Sequence, residues 1–85
     1  MKVKVLFFAA LREQLGSSGE EIEVPADIST VAGLRSHLRS RGGPYEKALA
    51  DRNLVRIAVN QDMVPATARI KAGDEVAFFP PVTGG

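Results

Sequence analysis

The chain contains no cysteine, no tryptophan and one histidine, His37. Without cysteine there is no disulfide framework, no thiolate zinc site and no cysteine nucleophile. One histidine rules out a histidine-rich metal site and argues against a Ser-His-Asp triad; no metal site is expected. An excess of one charge is also missing. Eleven Lys and Arg against ten Asp and Glu leave +1 at pH 7, too little for a strong nucleic-acid or anionic-membrane field. Long hydrophobic runs are absent as well. The apolar stretch after Lys4 lasts only about eight residues before Arg12 and Glu13, too short for a signal-peptide core. Nothing approaches the ~20 apolar residues of a membrane span. The expectation is a soluble cytoplasmic protein that engages neither nucleic acid nor membrane.

What is present fits one small domain of 85 residues, 45% of them hydrophobic. Surface scaling leaves about 4,900 Å² exposed of roughly 13,000 Å² in the unfolded chain, so about 63% is buried. Such a domain holds one modest core and has little room for a deep pocket of its own. Its side chains are poor candidates to carry chemistry.

Hydrophobic periodicity divides the chain into short elements. Residues 2–8 read as a strand, with Val3, Val5 and Phe7 on one face and Lys2, Lys4, Leu6 and Phe8 on the other. Residues 9–15 are good helix formers and stop at Gly16. Glu21-Ile22-Glu23-Val24 alternates as a second strand and closes at Pro25. Thr30 is placed as the N-cap of the main helix, with Val31, Leu34 and Leu38 forming its apolar stripe. Gly42-Gly43 ends that helix, and residues 44–51 suit a second short one with Tyr45, Ala48 and Leu49 inward. Residues 54–60 read as a strand, Met63-Val64 as a brief one, and residues 75–79 as the last. Segregated helix and sheet of this size give a two-layer α+β domain, a mixed sheet packed on one main helix with short extra helices. One helix covers only one face of a sheet.

The last residues stand apart. Pro80-Pro81-Val82-Thr83-Gly84-Gly85 follows the final strand, so the chain divides into a domain over 1–79 and an extended tail over 80–85. Two prolines fix φ near −65° and donate no N–H, which stiffens the departure. Six residues reach about 20 Å. Gly84 and Gly85 have no Cβ, so a wall or reacting group can approach their backbone closely. The tail is expected to end in the unhindered α-carboxylate of Gly85. A carboxylate resists nucleophiles at pH 7 until it is activated, for example as an acyl-adenylate.

The segment from Asp74 to Gly85, with Phe78-Phe79-Pro80-Pro81-Val82-Thr83-Gly84-Gly85 at its end, resembles the C-terminal signature of the MoaD family, the small subunits of molybdopterin synthase. The opening Lys4-Val5-Leu6-Phe7-Phe8-Ala9, Leu11-Arg12-Glu13, Thr30-Val31 with Leu34, and Ala58-Val59-Asn60 also fit, so the likeness spans the whole chain. The resemblance implies a ubiquitin-like β-grasp fold and a sulfur carrier in molybdenum cofactor biosynthesis. It implies that a MoeB-type, E1-like enzyme uses ATP with Mg to adenylate Gly85. A sulfur donor protein then leaves a thiocarboxylate there. The tail would insert into the large subunit, MoaE, and pass sulfur to cyclic pyranopterin monophosphate within a heterotetrameric synthase. The isolated chain would be no enzyme and bind no cofactor itself.

The residues themselves support parts of this scheme. No G-x-x-x-x-G-K-[ST] loop is present, so ATP activation falls to a partner. Leu6, Phe8, Ala77 and Phe79 are apolar on the off-faces of the first and last strands. Left open, they form a patch at the root of the tail suited to a partner. The resemblance places the large-subunit contact here, at Phe8, Met63 and Phe79, with Arg12 at its margin. The alternative is that residues 9–15 cover these side chains. His37 reads as a solvated or half-buried structural residue, Arg35, Arg39 and Arg41 as a solvated basic face, and Asp62, Asp74 and Glu75 as turn chemistry. Three functions compete: the sulfur carrier, for this or another pathway; a ubiquitin-like modifier that joins Gly85 to protein lysines; and a binding module with an inert tail.

Overall fold

The computed structural model describes residues 1–80. In chain order the elements are β1 (Lys2–Phe7), α1 (Ala9–Leu15), β2 (Gly19–Glu23), α2 (Val31–Arg39), α3 (Pro44–Ala48), β3 (Arg56–Val59), β4 (Asp62–Val64) and β5 (Glu75–Phe79). The five strands form one sheet in the order β2-β1-β5-β3-β4. β1 and β5 pair in parallel at its centre, and the other pairs are antiparallel. This is the mixed sheet expected from the sequence.

Period-two alternation sends one set of side chains to the helices. Val3, Val5 and Phe7 of β1, Ile57 of β3 and Val76 and Phe78 of β5 join a single buried cluster with Val31, Leu34 and Leu38 of α2. Each fully buried side chain of this size contributes about 1.5–3 kcal/mol. Phe7 lies at the centre, 5.8 Å from the Phe78 ring and edge-on to Tyr45 at 6.2 Å. Thr30 caps α2 as read from the sequence, its Oγ1 accepting from the Gly33 N–H at 3.1 Å. The Val31 and Ala32 N–H groups donate to the carbonyls of Ala68 and Ala66, both at 2.9 Å. The loop after β4 thus satisfies the helix end that would otherwise be free.

Some boundaries differ from expectation. β2 begins at Gly19 rather than Glu21, because the chain already pairs with Leu6 there. A Cβ on Gly19 would overlap the Val5 carbonyl oxygen and come within 2.9 Å of a Leu6 methyl, so this pairing requires glycine. β3 begins at Arg56 rather than Leu54. Its register with β5 ends at Arg56↔Phe79, and the next residue on β5 is Pro80, which has no N–H to continue the ladder. α3 stops at Ala48 instead of reaching residue 51. The Arg35 guanidinium takes the carbonyls that follow, donating to Leu49 at 2.8 Å, Ala50 at 2.7 Å and Asn53 at 2.9 Å.

Candidate functional site: the open sheet face

Among the described residues no helix lies over the other face of the sheet. The register sets Leu6 beside Ala77, Ala77 beside Ala58, and Ala58 beside Met63. Four strands therefore contribute one continuous apolar row. A second row lies toward the tail, where the Phe8 and Phe79 rings stack at 4.7 Å and 6°. Such a pair adds about 0.5–1.5 kcal/mol beyond its buried area. Away from the tail the same face turns polar, with Lys4 set between Glu21 and Glu75, and Lys2 opposite Glu23. Opposite charges in adjacent register satisfy one another and bound the apolar half.

The backbone at the end of β1 presents Phe8. Its N–H donates to the Phe78 carbonyl at 3.2 Å, holding the chain against β5. Ala9 then adopts φ +51°, a left-handed conformation costly for a residue with a Cβ. That sharp turn starts α1 and drives Leu11 and Leu15 into the core. The helix buries its apolar side away from the open face, and Phe8 keeps 39% of its surface exposed. Coverage of the patch by residues 9–15 is thereby ruled out for Phe8.

The site residues named from the sequence are placed as follows. Leu6 and Phe79 are half-buried, Phe8 and Arg12 are exposed, and Met63 is 57% exposed. Ala77 is 7% exposed, so it forms the floor of the patch and offers little contact area itself. Pro80 is half-buried at the end of β5. Pro81, Val82, Thr83, Gly84 and Gly85 lie outside the described residues.

The sequence reading missed three features. Ala58 completes the apolar row; it stood in a strand read for its Val-Ile-Val face, and only the cross-strand register reveals its role. Leu54, two residues before Arg56, is the most exposed large apolar residue among those described, at 77%. The third is Asp74, read as turn chemistry and found 4% exposed. Its carboxylate accepts from the Asn60 amide at 3.0 Å and the Lys71 N–H at 2.8 Å, with the Lys71 ammonium at 3.6 Å. Burial pushes this carboxyl's pKa up, but the Asn60 and Lys71 hydrogen bonds and the Lys71 charge together hold it below the ordinary Asp value. The Asn60 side-chain oxygen accepts from the Glu75 N–H at 3.0 Å, so the cluster fixes the start of β5.

The basic face of α2 and the turn after it is also not simply solvated. Arg35 is committed to carbonyls, Arg39 pairs with Asp51 at 3.2 Å, and Arg41 pairs with Glu20 while lying over the Tyr45 ring at 5.0 Å. These arginines tie elements together and are not offered to an acidic ligand. Half-buried His37 agrees with a structural role. Among the described residues no helix is long and apolar enough to cross a membrane.

A mixed sheet of this order, gripping one main helix and leaving an apolar face at the end of its last strand, defines a ubiquitin-like β-grasp protein. The chain belongs to the ThiS family, whose model matches residues 5–85. The molybdopterin synthase sulfur carrier subunit of Escherichia coli (strain K12) is 48% identical to it over 83 residues, covering 98% of this chain and 99% of that one. A solved structure, the putative molybdopterin converting factor, subunit 1, from Pyrococcus furiosus, is 35% identical with a TM-score of 0.78, covering 96% and 99% of the two chains. SAMP1 from Haloferax volcanii superposes with a TM-score of 0.81 at 28% identity, covering each chain completely. The resemblance drawn from the terminal motif and the β-grasp fold it implied are both borne out.

Proposed function

We propose that this chain is the sulfur-carrying small subunit of a molybdopterin synthase. The observation that carries this reading is the end-to-end likeness to a sulfur carrier subunit, 48% identical across 98% of the chain. The geometry supplies a rationale. The domain offers an apolar face that reaches Phe79, the last residue of β5.

In this scheme the Gly85 carboxylate attacks the α-phosphorus of ATP on a MoeB-type enzyme, and pyrophosphate leaves. Sulfide-level sulfur delivered by a donor protein attacks the acyl carbon, AMP leaves with the electron pair of the C–O bond it held, and a thiocarboxylate remains on Gly85. Pro80, Pro81, Val82, Thr83 and Gly84 lead that group into the large, MoaE-type subunit. There its sulfur bonds to carbon of cyclic pyranopterin monophosphate, and water cleaves the acyl C–S bond and returns the Gly85 carboxylate. ATP and Mg belong to the activating partner, and the residues that catalyse transfer belong to the large subunit. Leu6, Phe8, Met63 and Phe79 form the docking surface around the Ala77 floor, with Arg12 at its edge. A dithiolene holds two sulfurs, so two carriers serve each pterin.

A modifier function is the second reading, favoured by the superposition on SAMP1. SAMP1 carries the name of a small archaeal modifier protein. One experiment separates the readings. The chain is co-expressed with an adenylating enzyme and its intact mass is measured. Oxygen-to-sulfur exchange confined to the C-terminal peptide is the expected result. Lysine-linked adducts identify a modifier, and an unchanged mass beside a competent activating enzyme overturns both readings. Deletion of Gly85 is expected to abolish sulfur transfer while the thermal transition stays in place; normal molybdopterin formation by that variant overturns the mechanism.

A further inference from the structure

Arg56 is out of character with its surroundings. It begins β3 on the open face, exposed, directly opposite Phe79. Ala58 follows it on the same face of the strand, and Met63 stands opposite Ala58. Arg56, Met63 and Pro65 also border a groove that runs around the sheet edge to Ala32, Arg35 and Ser36 of α2. By register, the open-face neighbours of Arg56 are Phe79 across the ladder and Ala58 along the strand, with Met63 beyond Ala58. The one acid lining that groove, Asp51, is 3.2 Å from Arg39 instead. Among the described residues Arg56 forms no ion pair, whereas Arg39 and Arg41 do.

In the free domain this arrangement is tolerated because water solvates the charge. It becomes costly when a protein covers the apolar rows. An unpaired guanidinium moved out of water loses more than surrounding apolar contacts return. A surface that buries Phe8, Phe79 and Met63 together must therefore meet the charge with one of its own.

We infer that Arg56 is a specificity-determining contact, and that the large subunit docking on this face presents a carboxylate beside the apolar pocket that receives Phe79. The inference rests on the carrier reading above. It adds a requirement that the apolar rows alone do not impose, since a purely apolar partner surface would be rejected.

The test uses the full chain and the large subunit from the same organism, with affinity measured by titration calorimetry. Arg56→Met is expected to weaken binding about tenfold, and Arg56→Glu about a hundredfold or more with a slower association rate. Both variants are expected to retain the far-ultraviolet spectrum and melting temperature of the parent, because Arg56 is exposed. Phe79→Asp serves as the second arm. If Phe79→Asp weakens binding and Arg56→Glu does not, the inference about Arg56 fails while the docking surface stands. If neither variant weakens binding, the docking surface itself is misassigned. Lysine substitutions of the large subunit's surface carboxylates supply the positive identification: one of them is expected to restore binding to Arg56→Glu and not to Phe79→Asp. Self-association of the parent chain that Arg56→Glu abolishes would show a second copy to be the occupant and overturn the proposal.

Discussion

Asp74 shows how far one residue's role can exceed its local reading. The sequence places it correctly before the last strand, in Lys71-Ala72-Gly73-Asp74. It does not reveal burial, because burial depends on Asn60 arriving from the β3–β4 turn. Asp74→Ala removes the acceptor for two donors and is expected to cost about 1–3 kcal/mol, read from denaturant unfolding at pH 7. The pH dependence carries a sign. The folded carboxyl titrates below 3.8, the ordinary Asp value. Its contribution is therefore complete above that value and lost as pH falls through the lower folded-state value. Acid unfolding of the parent is expected to steepen in that window, and of Asp74→Ala to be flatter there. Identical acid limbs would remove Asp74 from the account.

Single elements were legible where local chemistry decides them. Gly16 in the left-handed conformation, φ +67°, ends α1 where the sequence said it would. The Thr30 cap and the Val31, Leu34, Leu38 stripe were readable for the same reason. Boundaries set at long range were not, as with α3, shortened by Arg35, and β3, shortened by Pro80. The β3–β4 turn lies between these cases. Its position was evident, but its two-residue form follows from the Val59↔Asp62 pairing. Asn60 and Gln61 both adopt positive φ, +50° and +74°, as a type I′ turn requires. Asn tolerates this and Gln does not. Gln61→Gly is expected to stabilise the domain by about 1 kcal/mol, which for this size raises the melting temperature by about 4–8 °C. An unchanged or lower transition in calorimetry would mean that the backbone at Gln61 carries no strain.

At the scale of the molecule, the two faces of one sheet divide the labour. The sequence implied an uncovered face, since one main helix shields one side only. It named Leu6, Phe8, Met63, Ala77 and Phe79 for the other side. It could not rank them, because exposure depends on which neighbours are small. Phe8 stands clear of α1, while the Ala77 methyl lies low beside Leu6. Phe8→Asp is accordingly expected to leave unfolding free energy within about 1 kcal/mol of the parent, as exposed substitutions do. The same change is expected to lower affinity for the large subunit about a hundredfold or more, as loss of an aromatic anchor does. A large loss of stability with unaltered affinity would reverse that assignment.

The central parallel pairing has a further implication, for when recognition becomes possible during folding. Lys4 meets Glu75 and Phe7 meets Phe78, so the middle of the sheet joins the first strand to the last. Contacts so distant in sequence form late and slowly. Leu6 and Phe8 belong to the early part of the chain, and Ala77 and Phe79 to the final strand. Neither half is a patch without the other. A partner that requires the Phe8–Phe79 stack would thus bind only chains that have closed the sheet, and docking there would proofread the fold.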